Sequence, residues 1–297
     1  NSNQSSRGVI LTATAGIIGA WIASAGDVNG DGYADMLIGA TGSAGQSGSL
    51  YLVMGRKNFS SRTVDVKTDA AAVMPLDPAG AAAIGVGDMN GDGLADFIVA
   101  DPNNSYKGSS AALYLFLGST AFQKASSAHP QQSLKPLTDR AATFTGPTPL
   151  ATSIAALGDV NGDTVADFAF SSAGVAHLVF GHLGGGWPTG YAGDRIFSAY
   201  PMGTTGSIAA PGDVAGPNAT TPDRLNDLVL VKGDGPAYLF MGAKNMPTAP
   251  SAAATLTKVA GIASAPYAAA SDSNCDRSSD LLVVPQQRQE VTVIGEV

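Results

Sequence analysis

Oxygen-bearing side chains recur at fixed intervals in a nine-residue segment, of which residues 27–35 are the clearest copy. Its first, third, fifth and ninth positions are Asp27, Asn29, Asp31 and Asp35. A hard divalent cation such as calcium needs several oxygen ligands at about 2.3–2.6 Å, from side chains and carbonyl groups. Three carboxylates so close together repel one another unless a cation lies between them. The spacing therefore predicts a calcium site, in which the carbonyl oxygen of Tyr33 is a further ligand.

Three further copies keep all four oxygen-bearing positions, and one copy is altered. The predicted ligands of the intact copies are Asp88, Asn90, Asp92, Leu94 and Asp96; Asp159, Asn161, Asp163, Val165 and Asp167; and Asp272, Asn274, Asp276, Ser278 and Asp280. The altered copy, residues 213–227, has Ala215 at position three and an insertion from Pro217 to Pro222. Its predicted ligands, Asp213, Asp223, Leu225 and Asp227, form the weaker site. We expect Ca²⁺ at four sites, with this loop as the candidate for a fifth.

The EF-hand is the alternative calcium motif that begins in the same way. Its loop requires a glutamate at position twelve and a helix on each side. Position twelve of the intact copies is apolar instead, as Ile38, Val99, Phe170 and Val283. Each of these residues lies in an apolar run directly after the ninth-position aspartate. The sequence therefore predicts that every loop leads straight into a β-strand.

The composition excludes several functional classes. A chain of 297 residues that is 44% hydrophobic and carries 37 glycines suits short strands and tight turns rather than long helices. A net charge of −8 without a lysine or arginine cluster argues against nucleic acid as a partner. No apolar run approaches the roughly 18 residues of a membrane helix. The single cysteine, Cys275, excludes a disulfide within the chain.

Calcium loops of this kind suit an environment rich in calcium, so we expect the protein to be exported to the extracellular medium or the cell surface. We also expect a monomer that does not insert into a membrane.

The chain consists of five repeats with a period of about 60 residues. Each loop is followed by two apolar strands, of which the second ends near a glycine, and two weaker strands precede the next loop. The first repeat shows this order in Met36–Ala40 and Ser49–Gly55. Four antiparallel strands per repeat predict an all-β fold, a five-bladed β-propeller formed by residues 1–297 as a single domain. A β-sandwich with decorated turns is the alternative, but it does not require a five-fold repeat.

The two ends of the chain predict how the ring closes. Arg7–Ala13 has the pattern of a strand without a repeat of its own, whereas the last repeat lacks an outer strand after Val291–Ile294. Pairing of the N-terminal strand with the C-terminal blade would leave no exposed sheet edge. We therefore expect Arg7–Ala13 to be the outer strand of the fifth blade.

The repeat resembles the FG-GAP repeat, which forms the β-propeller of integrin α subunits and of many bacterial surface proteins. Asp35–Ala40 and Gly48–Gly55 carry the pattern most clearly. The resemblance implies a calcium ion in the loop between the first two strands of each blade. It also implies a binding or adhesion module whose partner is an extracellular protein or a glycan. The chain departs from the integrin pattern in having five repeats instead of seven.

No Ser/His/Asp, Cys/His or paired-carboxylate set outside the loops points to catalysis, so we expect no enzymatic activity. His177 lies in a strand pattern and is expected to be packed rather than catalytic, and Trp21 is expected to be structural. A calcium-dependent lectin is the second functional hypothesis, with Trp187, Tyr106 and Tyr191 stacking on sugars. A non-catalytic accessory domain of a polysaccharide-active enzyme is the third.

Overall fold

The computed structural model describes residues 10–12, 17–41, 48–57, 63–75, 82–101, 111–135, 138–188, 190–214, 223–233, 235–248, 250–252, 254–256, 267–271, 280–284 and 292–294. Its strands are β1 (Ile10–Thr12), β2 (Ile17–Gly26), β3 (Asp35–Thr41), β4 (Ser49–Val53), β5 (Thr63–Asp65), β6 (Ala72–Pro75), β7 (Ala82–Gly87), β8 (Asp96–Asp101), β9 (Ala112–Phe116), β10 (Gln132–Ser133), β11 (Ala142–Phe144), β12 (Leu150–Gly158), β13 (Asp167–Ser172), β14 (Val175–Val179), β15 (Arg195–Ile196), β16 (Ser207–Gly212), β17 (Asp227–Val231), β18 (Ala237–Phe240), β19 (Ala254–Leu256), β20 (Tyr267–Ser271), β21 (Asp280–Val284) and β22 (Thr292–Ile294). One short helix, α1, spans Val66–Asp69. The predicted all-β class is confirmed, and the described residues contain no helix with the length and hydropathy of a membrane span.

Successive antiparallel sheets follow one another along the chain. Their strand orders are β2-β3-β4-β6-β10, β7-β8-β9-β11, β12-β13-β14-β15, β16-β17-β18-β19 and β20-β21-β22. All neighbouring strands in these sheets are antiparallel except β10, which pairs with β6 in parallel. The first strand of each sheet contacts the first strand of the next, from β2 through β7, β12 and β16 to β20. The sheets are therefore packed side by side in chain order.

The second strand is enclosed on both faces in the second sheet and in the third sheet. Every residue of β8 and of β13 is buried, as expected for a near-continuous apolar run. The first strands are rich in small residues, which lets neighbouring sheets approach closely. A Cβ atom on Gly85 of β7, for example, would lie 2.6 Å from the carbonyl oxygen of Ala25 in β2. Small residues in the first strands are therefore a packing requirement.

The hydrophobic core lies between the sheets rather than at a single centre. One cluster joins the first and second sheets and includes Leu37 and Phe97. A second joins the second and third sheets, where the Phe144 and Phe168 rings meet edge to face with centroids 5.1 Å apart. A third includes Phe240 of the fourth sheet. Neighbouring sheets among the first four therefore share apolar burial across their contacts.

In the second, third and fourth sheets, the segment between the third and fourth strands lies back on the outer strand of the preceding sheet, and we call these segments, residues 119–135, 182–194 and 243–252, the straps. The first strap provides β10, which pairs with β6. The second pairs Tyr191 with Phe144 of β11 in a parallel bridge. The third accepts hydrogen bonds from the side chain of Arg195 in β15 at the carbonyl oxygen of Met246, at 2.9 and 2.8 Å. Each strap thus connects two neighbouring sheets.

The predicted pairing partner of the N-terminal strand is wrong. Ile10–Thr12 pairs in parallel with Thr63–Asp65 of the first repeat, not with the fifth sheet. The side chain of Leu11 packs against the buried cluster that contains Ile38 and Val66, and this local burial explains the choice. Residues 7–9 and Ala13 of the predicted strand lie outside the described residues.

Candidate metal centres

The loop between β2 and β3 folds around the carboxylate of Asp27. Asp27 Oδ1 accepts hydrogen bonds from the backbone N–H groups of Gly30 and Asp31 at 2.8 and 3.1 Å. Its Oδ2 accepts one from Gly32 at 2.7 Å. The glycines have φ values of 76° and 86°, where a side chain would be strained. The chain therefore bends sharply at the glycines that separate the ligand positions.

The third and fifth predicted ligands are drawn to the same turn. Asn29 Oδ1 accepts a hydrogen bond from the backbone N–H of Asp31 at 3.0 Å, and its Nδ2 donates to Asp31 Oδ2 at 3.2 Å. Asp31 Oδ1 accepts another from the backbone N–H of Tyr33 at 2.9 Å. The first, third and fifth positions of the predicted ligand set therefore lie together at the exposed end of the sheet.

The ninth-position aspartate has a different environment. Asp35 is buried, with 1% of its surface exposed. Its Oδ2 accepts a hydrogen bond from Val28 N–H at 2.9 Å, and its Oδ1 accepts one from Gly55 N–H at 2.7 Å. It thereby joins the start of the loop to the end of β4, an arrangement that we call the aspartate clasp.

The clasp recurs in three further repeats with the same atoms. Its members are Asp96 with Met89 and Gly118, Asp167 with Val160 and Gly181, and Asp227 with Val214 and Gly242. The glycine is required because the chain passes directly over the loop at this point. A Cβ atom on Gly55 would lie 2.2 Å from the carbonyl oxygen of Ala34, and one on Gly181 would lie 2.5 Å from that of Ala166. The glycine that ends each second apolar strand in the sequence is therefore part of the loop structure.

The second and third loops reproduce the hydrogen bonds of the first. The first-position carboxylates are Asp88 and Asp159, and each accepts backbone N–H groups from positions four, five and six. Position six is Thr164 in the third loop and keeps a φ of 73°. The backbone conformation is thus retained even where glycine is replaced.

The altered fourth loop keeps the same frame at the positions that the structure describes. Asp213 Oδ2 accepts the backbone N–H of Arg224 at 2.6 Å, and Asp223 Oδ1 accepts that of Leu225 at 2.9 Å. Arg224 occupies position six with a φ of 70°. Ala215 and the insertion lie outside the described residues. The fourth loop therefore differs in one ligand rather than in its fold around Asp213.

The predicted fifth site lies outside the described residues, apart from the backbone of Asp280, which begins β21. The predictions for Asp272, Asn274, Asp276, Ser278 and the Asp280 side chain remain predictions.

Neighbouring loops are linked by main-chain hydrogen bonds. The N–H of Ala95, at position eight of the second loop, donates to the carbonyl oxygen of Asp27 at 2.9 Å. Ala166 donates to Asp88, and Asn226 donates to Asp159, both at 2.8 Å. The first four loops therefore form one continuous row at the same end of the sheets.

The pKa values of the clasp carboxylates depend on burial and on the other charges of their loops. Burial raises the pKa of Asp35 to about 6, and the pKa values of Asp96 and Asp167 to about 7. The two backbone N–H donors oppose this rise, whereas the carboxylates at positions five and one add to it. The repulsion between positions one, five and nine that the sequence suggested is therefore present in the first three loops.

The oxygen donors of the loop fit a calcium ion in type. A carboxylate offers about four acceptor positions, and Asp31 uses two of them in hydrogen bonds. Carboxylate, amide and carbonyl oxygens are ligands of hard cations rather than of copper or zinc. Among the described residues, however, no three Asp, Glu, His or Cys side chains are already arranged to hold an ion. A bound ion would have to draw the side chains inward, and the ninth carboxylate would have to share its oxygens with the clasp.

The two candidates for sugar stacking that the structure describes, Trp187 and Tyr191, are packed against other residues. Trp187 is only 7% exposed, and its Nε1 donates to the carbonyl oxygen of Phe180 at 3.0 Å. Tyr191 packs against Phe144 and donates its hydroxyl hydrogen to Asp194. The expectation that Trp187 is available to a ligand is therefore wrong, because the indole is needed to cover the core. Tyr106 lies outside the described residues.

Two expectations about packed residues are confirmed. His177 is 6% exposed, stacks on Phe170 and places Nδ1 2.7 Å from the carbonyl oxygen of Ala192. Burial lowers the pKa of His177. Trp21 packs over Gly39, where a Cβ atom would lie 2.5 Å from the indole ring.

These observations define a repeat protein of antiparallel sheets in which each of the first four sheets carries an aspartate-centred loop at the same end. The FG-GAP repeat family model matches residues 19–53, which run from β2 through the first loop to the end of β4. The predicted resemblance is thus confirmed for the first repeat. A search of curated proteins finds no match to the chain.

Proposed function

We propose that this protein is a calcium-binding, integrin-like module that works outside the cell by binding a protein partner in adhesion. The observation that carries the proposal is the recurrence of one hydrogen-bond frame in four loops. In the first three loops the frame gathers the oxygens of positions one, three and five while three carboxylates per loop remain close enough to repel. Calcium would relieve that repulsion and stiffen the row of loops, which would then present a fixed surface.

The same proposal includes a five-bladed propeller. The observation that supports ring closure comes from the first sheet. Ile22, five residues before the first loop, is 63% exposed, whereas its counterparts Ala83 and Ile208 are buried and Ile154 is half-buried against the cluster shared with the preceding sheet. Likewise, the N–H of Ala34 has no acceptor among the described residues, whereas the equivalent N–H of Ala95 bonds to the preceding loop. In every later sheet, the equivalent side is the one that packs against the preceding sheet. In the first sheet this side is uncovered. We propose that the fifth sheet covers it and closes the ring.

A protein partner is favoured over a glycan because the best sugar-stacking candidate, Trp187, is buried. The lectin and the accessory domain of a polysaccharide-active enzyme therefore rank second and third. We propose that the chain has no catalytic activity of its own, and that it acts as a monomer without inserting into a membrane.

The first experiment tests calcium. Thermal melting of the chelator-treated protein is compared with melting in millimolar calcium and in millimolar magnesium. Calcium should raise the melting temperature, because a ligand that binds only the folded state stabilises it by RT ln(1 + [L]/Kd) per site. An Asp27→Ala, Asp88→Ala double variant is the matched control and should respond less. Equal melting curves with calcium and with chelator in the parent protein would refute the metal sites.

The second experiment tests the partner. The intact protein is screened against immobilised extracellular matrix proteins and against a glycan array, each with calcium and with chelator. Calcium-dependent capture by a protein ligand supports adhesion. Calcium-dependent capture by glycans alone would replace it by the lectin.

A further inference from the structure

Three of the loops contain an asparagine followed directly by glycine, in nearly the same local sequence. The tetrapeptides are Val28–Asp31, Met89–Asp92 and Val160–Asp163, and the first and the third are identical. Glycine offers the least steric resistance to attack by its backbone nitrogen on the preceding side chain. Three chemically equivalent sites therefore lie in three different environments of one molecule.

The backbone holds the three glycines alike. The N–H groups of Gly30, Gly91 and Gly162 donate to the first-position carboxylate at 2.8, 2.7 and 2.6 Å. All three glycines have φ values between 76° and 77°. Differences in reactivity must therefore come from the asparagine side chains.

The asparagine side chains are held unequally. Asn29 is 5% exposed, and its Nδ2 donates to Asp31 and also to the carbonyl oxygen of Phe122 at 3.1 Å and to the sulfur of Met54 at 3.4 Å. Asn161 is only partly buried, and among the described residues its Nδ2 donates to Asp163 alone, at 2.9 Å. Asn90 lies between the two, because among the same residues its Nδ2 donates only to Asp92, at 3.0 Å, but its side chain is buried, with 9% of its surface exposed. The first strap, which covers the first loop through Phe122, thus immobilises the amide of Asn29. The described residues of the third strap, which lies against the third loop, make no equivalent hydrogen bond to Asn161.

We propose that Asn161 is the site at which this protein spontaneously deamidates, and that the first strap protects Asn29 from the same reaction. The nitrogen of Gly162 attacks Cγ of Asn161, the Cγ–Nδ2 bond breaks, and the departing nitrogen leaves as ammonia with the proton of the glycine amide. Water then opens the resulting succinimide at one of its two carbonyl groups and gives aspartate or isoaspartate. Only water is consumed, and one carboxylate is gained.

The reaction would change the third loop in a defined way. The amide of Asn161 now donates to Asp163, and a carboxylate in its place would face that carboxylate as a second acceptor. The isoaspartate product would lengthen the backbone by one atom and displace the Gly162 N–H from Asp159. Deamidation therefore converts a hydrogen bond in this loop into a repulsion.

The test compares the three sites within the unaltered protein. The folded protein is incubated with a chelator at mildly alkaline pH. The deamidated fraction of each asparagine is followed by peptide mass spectrometry, with the Asn161→Asp variant as the standard for the aspartate product. Asn161 should convert about tenfold faster than Asn29, because Asn29 must first break two further hydrogen bonds. The same incubation in denaturant should give equal rates for Asn29 and Asn161, since their tetrapeptides are identical.

Three results would overturn the proposal. These are equal or faster conversion of Asn29 in the folded protein, no conversion of Asn161 in the folded protein, and unequal rates that persist in denaturant. None of them depends on whether the loops bind calcium, because the comparison is made in chelator.

Discussion

The first and the fourth loops reach the same hydrogen-bond frame from different sequences. In the first loop, Asp27 accepts the N–H of Gly32 five residues later, and in the fourth loop Asp213 accepts that of Arg224 eleven residues later. The fourth loop has no asparagine at position three. Aspartates at positions one, five and nine are therefore sufficient to fold the loop. The position-three asparagine is therefore not required for this frame, which agrees with the proposed role of its oxygen as a calcium ligand.

The largest expected effect is the loss of stability when the clasp aspartate is removed. Comparing this loss between the first and fourth loops tests whether the clasp is equally important in both. Asp35→Ala and Asp227→Ala should each reduce the free energy of unfolding by about 2–5 kcal/mol, because two buried N–H groups lose their acceptor. Urea denaturation in chelator measures the change, and Asp31→Ala, at an exposed position, is the control. Losses below about 1 kcal/mol for the clasp variants would show that water replaces the carboxylate.

The second prediction separates the two loops by their affinity for calcium. Asp27→Ala should remove a calcium-dependent stabilisation of about 2.7 kcal/mol when calcium is a hundredfold above the Kd of the site. Asp213→Ala should remove much less, because Ala215 already deprives that loop of a ligand. Chemical denaturation with and without calcium gives both values. If Asp213→Ala removed more of the calcium-dependent stabilisation than Asp27→Ala, the ranking of the two loops would be reversed.

The third prediction uses the raised pKa values of Asp35, Asp96 and Asp167. Their folded pKa values of about 6 to 7 exceed the ordinary value of 3.8, so the folded state binds more protons than the unfolded state between those limits. Stability in chelator should therefore fall as the pH rises from 4 towards 7. Calcium should flatten this dependence, because a cation favours the charged carboxylates. Melting curves across this range, recorded with and without calcium, decide the point; a rise in chelator would contradict it.

The smallest expected effect concerns position six. Arg224→Gly should stabilise the protein by about 1 kcal/mol, because a φ of 70° strains any residue with a Cβ atom. Gly32→Ala should have the opposite effect of similar size, since no atom lies within 4 Å of the added Cβ and only backbone strain remains. Thermal melts of the two variants form a matched pair. If both variants changed the stability in the same direction, side-chain contacts rather than φ would determine which residue is preferred at position six.

Local features of the fold were predictable because they depend on neighbouring residues. The strand after the first loop was predicted at Met36–Ala40 and is found at Asp35–Thr41. The bends at glycines and the grouping of positions one, three and five follow from a single turn of chain. Even in the altered loop, the first, fifth and ninth aspartates could be assigned by their order.

Features that depend on distant parts of the chain were not predictable. The clasp joins Asp35 to Gly55, and the pairing of those residues depends on the register of β3 with β4. The glycine that ends each second apolar strand was visible in the sequence, but the sequence did not show that this glycine bonds to the ninth-position aspartate. The N-terminal strand was assigned to the wrong sheet because a three-residue strand has no partner-specific pattern. Trp187 was misjudged because a glycine-rich flank resembles an exposed loop.

The straps have a consequence for how such a chain changes in evolution. Two of them hold the neighbouring sheet through main-chain atoms, in the pairing of β10 with β6 and of Tyr191 with Phe144, and the third is held at a carbonyl group. Main-chain contacts do not depend on residue type, so one repeat can take the place of another next to any neighbour. Gain or loss of a whole repeat by unequal crossover would preserve the two main-chain junctions, whereas the third also requires the side chain of Arg195. A break within a strap would instead release two sheets at once, so the unit of inheritance in this fold is the repeat together with its strap.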